Sequence, residues 1–331
     1  MNTTSPSTNK RGLVGAEPRP AVVIAGGAGF LGSHITKRFH RAGYAVTVID
    51  GLLEHTGGRE KNLDPILEDI NFCRIDVRDA HALAGLIHES QVVVDCMAWS
   101  RHRSALQDPL YDLRLNVETH LHLLQYLHPE QKIIYLGSRS QYGIPDVDVI
   151  VEDTPMIPVD IQGTNKIAAE SYFRVFSRLK GLNVISLRFP NCFGVNQPLE
   201  GEDVGLVGGF IRDLLKRRLV EVYGVQRKRS LVYAPDLAEV VLLLSQSPLV
   251  GFSAYNLAGI EIYIKSLVEK LIELIGSGTY QLREMPADIS SIDVGNASFN
   301  NGKLRAVIGE IPVTDLQVAL QTTIDYFKEN L

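Results

Sequence analysis

The first half of the chain alternates short continuous apolar runs with amphipathic stretches. Ala21–Ala25, Tyr44–Ile49, Phe72–Ile75, Val92–Met97 and Lys132–Leu136 are rich in Val and Ile and read as strands buried on both faces. Helical patterns separate them: one runs from the glycines after residue 25 to Ala42, another over Leu110–Leu127. Buried strands alternating with helices predict βαβ units with right-handed crossovers. The expected fold class is therefore α/β, a doubly wound parallel sheet. After residue 190 the rhythm loosens. Asn191–Gly205 is rich in Gly, Pro and Asn, as a long loop would be. Helical patterns return at Leu206–Arg218, Asp236–Leu244, Ile264–Ile275 and Val313–Asn330. They predict a smaller, mostly helical part beside the sheet. The expected division is a disordered arm over 1–19, a nucleotide-binding domain over 20–190, and a mainly substrate-binding part over 191–331. Segments of the last part are expected to return to the sheet.

Composition narrows the class. Lys and Arg number 33 against 38 Asp and Glu, a net charge of −5, which leaves no positive excess for duplex nucleic acid. No apolar run approaches the roughly 18 residues of a membrane span. The first ten residues have no apolar core of a signal peptide. Cys73, Cys96 and Cys192 are odd in number and far apart, against a disulfide framework or a thiolate metal site. The expectation is a cytoplasmic protein with no metal, no nucleic acid and no membrane partner.

Gly26-Gly27-Ala28-Gly29-Phe30-Leu31-Gly32 stands between the first strand and the first helix. It satisfies both GxGxxG, from Gly27, and GxxGxxG, from Gly26. The early glycines allow a tight turn, Gly29 lets backbone approach a pyrophosphate, and Gly32 permits close helix–strand packing. Free N–H groups at the helix start then favour phosphate. Asp50 ends the second strand, where a carboxylate binds both adenosine ribose hydroxyls and repels a 2′-phosphate. The pattern predicts NAD rather than NADP. In Asp76-Val77-Arg78-Asp79, Asp76 is placed on the adenine amino group and Asp79 as the cap of a helix over Ala80–His88.

Further segments keep the same order: Asp95-Cys96-Met97-Ala98, Asn116-Val117-Glu118-Thr119, and Gly137-Ser138-Arg139-Ser140-Gln141-Tyr142-Gly143. Leu187-Arg188-Phe189-Pro190-Asn191-Cys192-Phe193-Gly194, Arg229–Asp236 and Tyr255-Asn256-Leu257 follow. From residue 21 to 331 the chain resembles the extended short-chain dehydrogenase/reductase family, the NAD-dependent nucleotide-sugar epimerases and dehydratases. The resemblance implies a Rossmann domain. It assigns NAD to Gly26, Gly29, Phe30, Leu31, Gly32, Asp50, Asp76, Val77, Met97, Ala98, Asn116, Lys166 and Pro190. It assigns a nucleotide-diphosphate sugar to Ser100, Ser138, Arg139, Ser140, Asn191 and Arg229. It also implies a homodimer through the helices Leu110–Leu127 and Ile161–Lys180, with Leu121, Ala168 and Phe173 contributing.

The resemblance further implies a catalytic set of Ser or Thr, Tyr and Lys, the last two spaced YxxxK on one helix face. Ser138 matches the hydroxyl residue and Lys166 the lysine. At the tyrosine position stands Gln162, and Pro158 four residues earlier confirms the register. An amide hydrogen-bonds a sugar hydroxyl but does not exchange protons near neutral pH. The first reading is that Tyr142, His102, Cys192 or Lys166 supplies the acid/base group, although a surface-loop role is the commoner one for a histidine such as His102. The others are proton transfer through water, or lost oxidoreduction, whether natural or by engineered substitution. Met285 stands where the family often has an arginine, with Arg283 nearby. Arg139-Ser140 occupies the place of the dehydratases' Asp-Glu, which favours a 4-epimerase working through a transient 4-keto sugar. The alternatives are a dehydratase, a decarboxylase, a keto-sugar reductase, or a catalytically silent NAD- and nucleotide-sugar-binding protein.

Overall fold

A computed structural model describes residues 19–79, 83–201, 204–291 and 293–331. The five apolar runs form strands β1 (Ala21–Ala25), β2 (Ala45–Asp50), β3 (Asn71–Arg74), β4 (Val92–Asp95) and β5 (Lys132–Leu136). Two later strands, β6 (Asn183–Arg188) and β7 (Phe252–Asn256), complete one sheet. Every pairing in it is parallel, in the order β3-β2-β1-β4-β5-β6-β7. The order reverses at β1, so a crevice opens beyond the carboxyl ends of β1 and β4. This is the Rossmann α/β sheet that the periodicity predicts. β7 comes from beyond residue 190, so the chain recrosses into the sheet late.

Strand alternation divides the core. Val22 and Ile24 point to one face with Ile35 and Phe39 of the helix Phe30–Arg41 and Leu237 and Val241 of the helix Ala234–Ser245. Val23 and Ala25 point to the other, with Leu123, Ala169 and Phe173. A third core gathers Ile211, Leu214, Val268, Leu271, Leu320 and Ile324 from the helices Leu206–Leu215, Ile264–Ile275 and Leu316–Asn330. Short strands edge this second half: Asn191–Phe193, Lys228–Tyr233 and Ile260–Tyr263 form one small sheet, and Val220–Tyr223 pairs with Tyr280–Arg283.

The expected single helix over 110–127 is divided. Asp108 caps Pro109–Leu113 through Tyr111 N–H at 2.9 Å, Arg114–Glu118 widens into a π-turn, and Thr119–Leu124 resumes α-geometry. Such bulges recur at functional sites because they re-aim side chains. Residues 1–18 of the expected arm, and 80–82 at the expected helix start after Asp79, lie outside the described residues. Among the described residues no helix is long and apolar enough to cross a membrane.

Candidate active site

At the end of β1, Gly26 takes φ +75 and its N–H bonds Ile49 O at 2.8 Å. The left-handed conformation favours glycine there. A Cβ on Gly32 would stand 2.0 Å from Gly26 O, so the helix start packs against the turn with no room for a side chain. Asp50 Oδ2 accepts from Ala28 N–H and Oδ1 from Leu52 N–H, both at 2.9 Å. Burial pushes its carboxyl above the ordinary value, against those two bonds. A glycine-rich turn beside a held carboxylate fits a dinucleotide pyrophosphate and ribose. Asp76 is paired instead with its neighbour: Arg78 Nε lies 2.9 Å from Oδ1 and Nη2 2.5 Å from Oδ2. That ion pair holds the Asp76 carboxyl below the ordinary value.

The turn opens on a cavity of about 660 Å³ that runs to the second half of the chain. Of the residues expected in the site, all but Asn116, Tyr142, Gln162 and Lys166 contribute to its wall.

Three of those four sit behind the wall for identifiable reasons. Asn116, carried by the π-turn, accepts from Trp99 N–H and donates to Trp99 O, both at 3.0 Å. It fastens the loop after β4 and does not line the cavity. Gln162 Nε2 donates to the same Trp99 carbonyl at 2.5 Å and lies 3.4 Å from Asp112 Oδ2. The Gln162 amide is thus engaged in holding backbone. Tyr142 is fully buried; its hydroxyl accepts from Arg188 Nη1 at 2.5 Å and donates to Asn256 Oδ1 at 2.9 Å. Burial raises its pKa, and its phenol does not reach the cavity, which removes it from the acid/base candidates. Cys192 does line the cavity, but burial pushes its thiol well up, so it stays protonated at neutral pH.

Lys166 lies beneath the end of β5, its Nζ 3.0 Å from Leu136 O and 5.0 Å above the Tyr135 ring. Burial lowers its pKa to about 8, against the opposing charges of Asp95 and Asp112. Asp95 is itself tied to buried His120, Nδ1 to Oδ2 at 2.7 Å. Ser138 caps the short helix Arg139–Tyr142 in a capping box: its Oγ accepts from Ser140 N–H at 3.1 Å, and Gln141 Oε1 accepts from Ser138 N–H at 2.7 Å. Gln141 in turn donates to Glu170, so the catalytic-side turn hangs on a buried carboxylate.

Arginines line the far end. Among the described residues Arg139 donates to carbonyls, Gly143 O at 2.8 Å and Val294 O at 2.7 Å among them. Burial, then repulsion from Arg229, lowers its pKa to about 10. Arg229 and Arg227 both pair with Asp293. Asn191 is exposed at the cavity edge. Sequence reasoning missed Asp293 and Arg227, although a run of basic residues at 227–229 called for a counter-charge. It did not anticipate that His102, at the cavity wall, bonds Asp160.

A glycine turn after β1, a buried carboxylate at the end of β2 and a long cleft whose far wall carries arginines are the features of a dinucleotide-binding α/β protein. The chain belongs to the NAD dependent epimerase/dehydratase family, whose sequence profile matches residues 22–258, and its cofactor is NAD. A UDP-glucose 4-epimerase of Mycolicibacterium smegmatis is 25% identical over 315 residues, covering 92% of this chain and 98% of the relative. UDP-glucuronic acid decarboxylase 1 of Danio rerio is 25% identical over 320 residues, 95% of this chain and 74% of the relative. The crystal structure of Thermus thermophilus UDP-glucose 4-epimerase with NAD superposes with a TM-score of 0.82 at 26% identity, over 94% of this chain and 100% of that one. Enzymes of the sugar epimerase/dehydratase type are therefore its relatives.

Proposed function

We propose that the protein is an NAD-dependent nucleotide-sugar 4-epimerase acting through a transient 4-keto sugar. The observation that carries this reading is the single cavity, which joins the glycine turn and Asp50 to Ser138 and then to Arg139, Arg227 and Arg229. Bound NAD supplies the acceptor, and later the donor, of a hydride. Gly26–Gly32 and Asp50 hold its pyrophosphate and ribose. Lys166 provides a buried positive charge beneath the Ser138 turn, and Ser138 hydrogen-bonds the reacting oxygen. The guanidiniums and Asn191 grip the substrate diphosphate, for which a forked donor suits phosphate oxygens. Arg139 and Ser140 stand in place of the dehydratases' acidic pair, which disfavours expulsion of a 6-hydroxyl. The three free thiols and absence of a spanning helix among the described residues accord with a cytoplasmic setting.

A second reading, decarboxylation of a nucleotide-linked uronic acid, is favoured by Arg101, Arg103 and Arg139 lining the same cavity. NMR of products from UDP-hexoses and UDP-hexuronic acids separates the two. A C4 epimer supports the first, and carbon dioxide with a pentose product supports the second. Binding without conversion of any sugar would sink both and leave a silent binding protein.

Asp50→Ala is expected to weaken NAD by about 10- to 150-fold, the equivalent of losing charge-assisted ribose hydrogen bonds worth about 1.5–3 kcal/mol. Unchanged affinity by calorimetry would displace Asp50 from the ribose.

A homodimer is also proposed. Tyr172, Val175 and Leu179 recur at helical spacing and are exposed, as are Leu110 and Leu113 on the adjoining segment. Phe173, expected at that face, points inward to Tyr135 and His120. Light scattering at micromolar concentration should give twice the chain mass; the mass of one chain removes the proposal.

A further inference from the structure

Beneath the cavity lies a buried polar cluster of which the chemistry above uses Lys166 alone. Asp95 closes β4, pairs in register with Ala25 of β1 and Tyr135 of β5, and is fully buried. Registered neighbours in a sheet point to one face, and Ala25 and Tyr135 share theirs with Phe173. Lys166 Nζ lies 5.0 Å over the Tyr135 ring. His120, fully buried on the helix Thr119–Leu124, meets the same ring edge-on, with centroids 5.2 Å apart. Its Nδ1 stands 2.7 Å from Asp95 Oδ2, and Asp95 Oδ1 accepts from Met97 N–H at 3.1 Å. Carboxylate, imidazole and ammonium are thus gathered around one aromatic ring.

An ionised carboxylate only accepts hydrogen bonds, so the proton of a neutral imidazole stands on Nδ1. His120 Nε2 is buried with no hydrogen-bond partner among the described residues. A lone pair costs less to leave there than the N–H of an imidazolium. The Asp95–His120 pair therefore carries one net negative charge. The other groups facing Lys166 are Asp112, which accepts from Asn165 Nδ2 at 2.7 Å, and the Cys96 thiol. Burial, and then the Asp95 charge, pushes the Cys96 thiol and the Tyr135 phenol up, so both stay protonated and neutral. Of the two carboxylates, Asp95 acts the more strongly against the burial that disfavours the Lys166 charge.

We propose that Asp95 is the positioning residue of Lys166: its buried charge, fixed by His120 and Met97 N–H, keeps the ammonium charged beneath the Ser138 turn. Neither Asp95 nor His120 lines the cavity, so both act through Lys166. The part that this ammonium plays in turnover is taken from the epimerase reading above.

The test uses the full chain with bound NAD. Asp95→Asn keeps an oxygen for Met97 N–H and turns an NH₂ toward His120 Nδ1, so the charge goes and both hydrogen bonds remain. The pH at which Lys166 loses its proton is read from its ¹³Cε shift, assigned by the signal missing in Lys166→Met. It should fall from about 8 to about 7 or below. The alkaline decline of turnover, with a UDP-hexose as probe, should move with it. His120→Asn offers Asp95 an amide N–H in place of Nδ1–H and should leave the Lys166 value near 8. A Lys166 signal that titrates unchanged in Asp95→Asn, or one displaced as far by His120→Asn, overturns the proposal. The wild type supplies a check that needs no variant. Its ¹⁵N spectrum should show His120 as the Nδ1–H tautomer across the same pH interval. An Nε2–H tautomer would put a proton on Asp95 and overturn the proposal as well. The ¹³C and ¹⁵N readings need no turnover. A chain that binds UDP-hexoses and converts none overturns the epimerase reading, and these readings still decide the role of Asp95.

Discussion

Glu170→Ala is expected to lower the free energy of unfolding by about 3–5 kcal/mol, because it strands a charge inside the protein. Glu170 and Arg188 are each 1% exposed. Glu170 Oε1 accepts from Arg188 Nη2 at 2.5 Å; Oε2 accepts from Arg188 Nε and Gln141 Nε2 at 2.9 Å and from Ser186 Oγ at 2.7 Å. Burial pushes the carboxyl up, but the Arg188 hydrogen bonds and charge, with Gln141 and Ser186, overcome it and hold its pKa below the ordinary value. The sign follows from linkage. A depressed carboxyl contributes stability above its unfolded pKa, and that contribution is lost as pH falls through the folded value. Urea midpoints across pH 3 to 7, for wild type and variant, read both effects. The variant should be destabilised at neutral pH and lose less on acidification. Equal midpoints at pH 7 would show that Arg188 finds compensation elsewhere. Turnover should fall as well, since Gln141 then loses the carboxylate that fixes its hold on Ser138.

Lys166→Met is expected to reduce turnover by about 10²–10³-fold, the scale for removing one preorganised electrostatic group. In the wild type, burial places the ammonium pKa at about 8, so the charge is present below that value and disappears as pH rises through it. Turnover should decline over the same interval, and Lys166→Met should lack that limb. Unfolding through this group does not produce the decline. Between the folded value near 8 and the unfolded lysine value of about 10.4, the unfolded chain binds more protons, so this group's contribution to stability rises with pH. Circular dichroism on the same samples separates loss of charge from loss of fold. A Lys166→Met profile that keeps the limb near pH 8 would assign it to another residue.

The sheet was legible because its signals are local. Ala21–Ala25 and Lys132–Leu136 begin and end where their apolar runs do, and the helix Ile264–Ile275 matches its expected limits. Position 162 shows why the site was less so. Spacing places Gln162 and Lys166 on one helix, Ile161–Lys180, but the amide is committed to Trp99, 63 residues away in the chain. Asn116 misleads for a related reason: the π-turn that redirects it leaves no mark in hydrophobic periodicity. The His102–Asp160 pair spans 58 residues and two helix starts, and no spacing rule joins them. Strands as short as Asn191–Phe193 are too brief to alternate visibly.

The Trp99 carbonyl has a consequence for how this sequence can change. It is a shared acceptor, taking one hydrogen bond from Asn116 and one from Gln162. A tyrosine placed alone at 162 would vacate one of these bonds and the contact of the amide with Asp112. Any side chain at 162 without an amide therefore leaves the Trp99 carbonyl one donor short, and the loop after β4 loses one of the two side chains that fasten it.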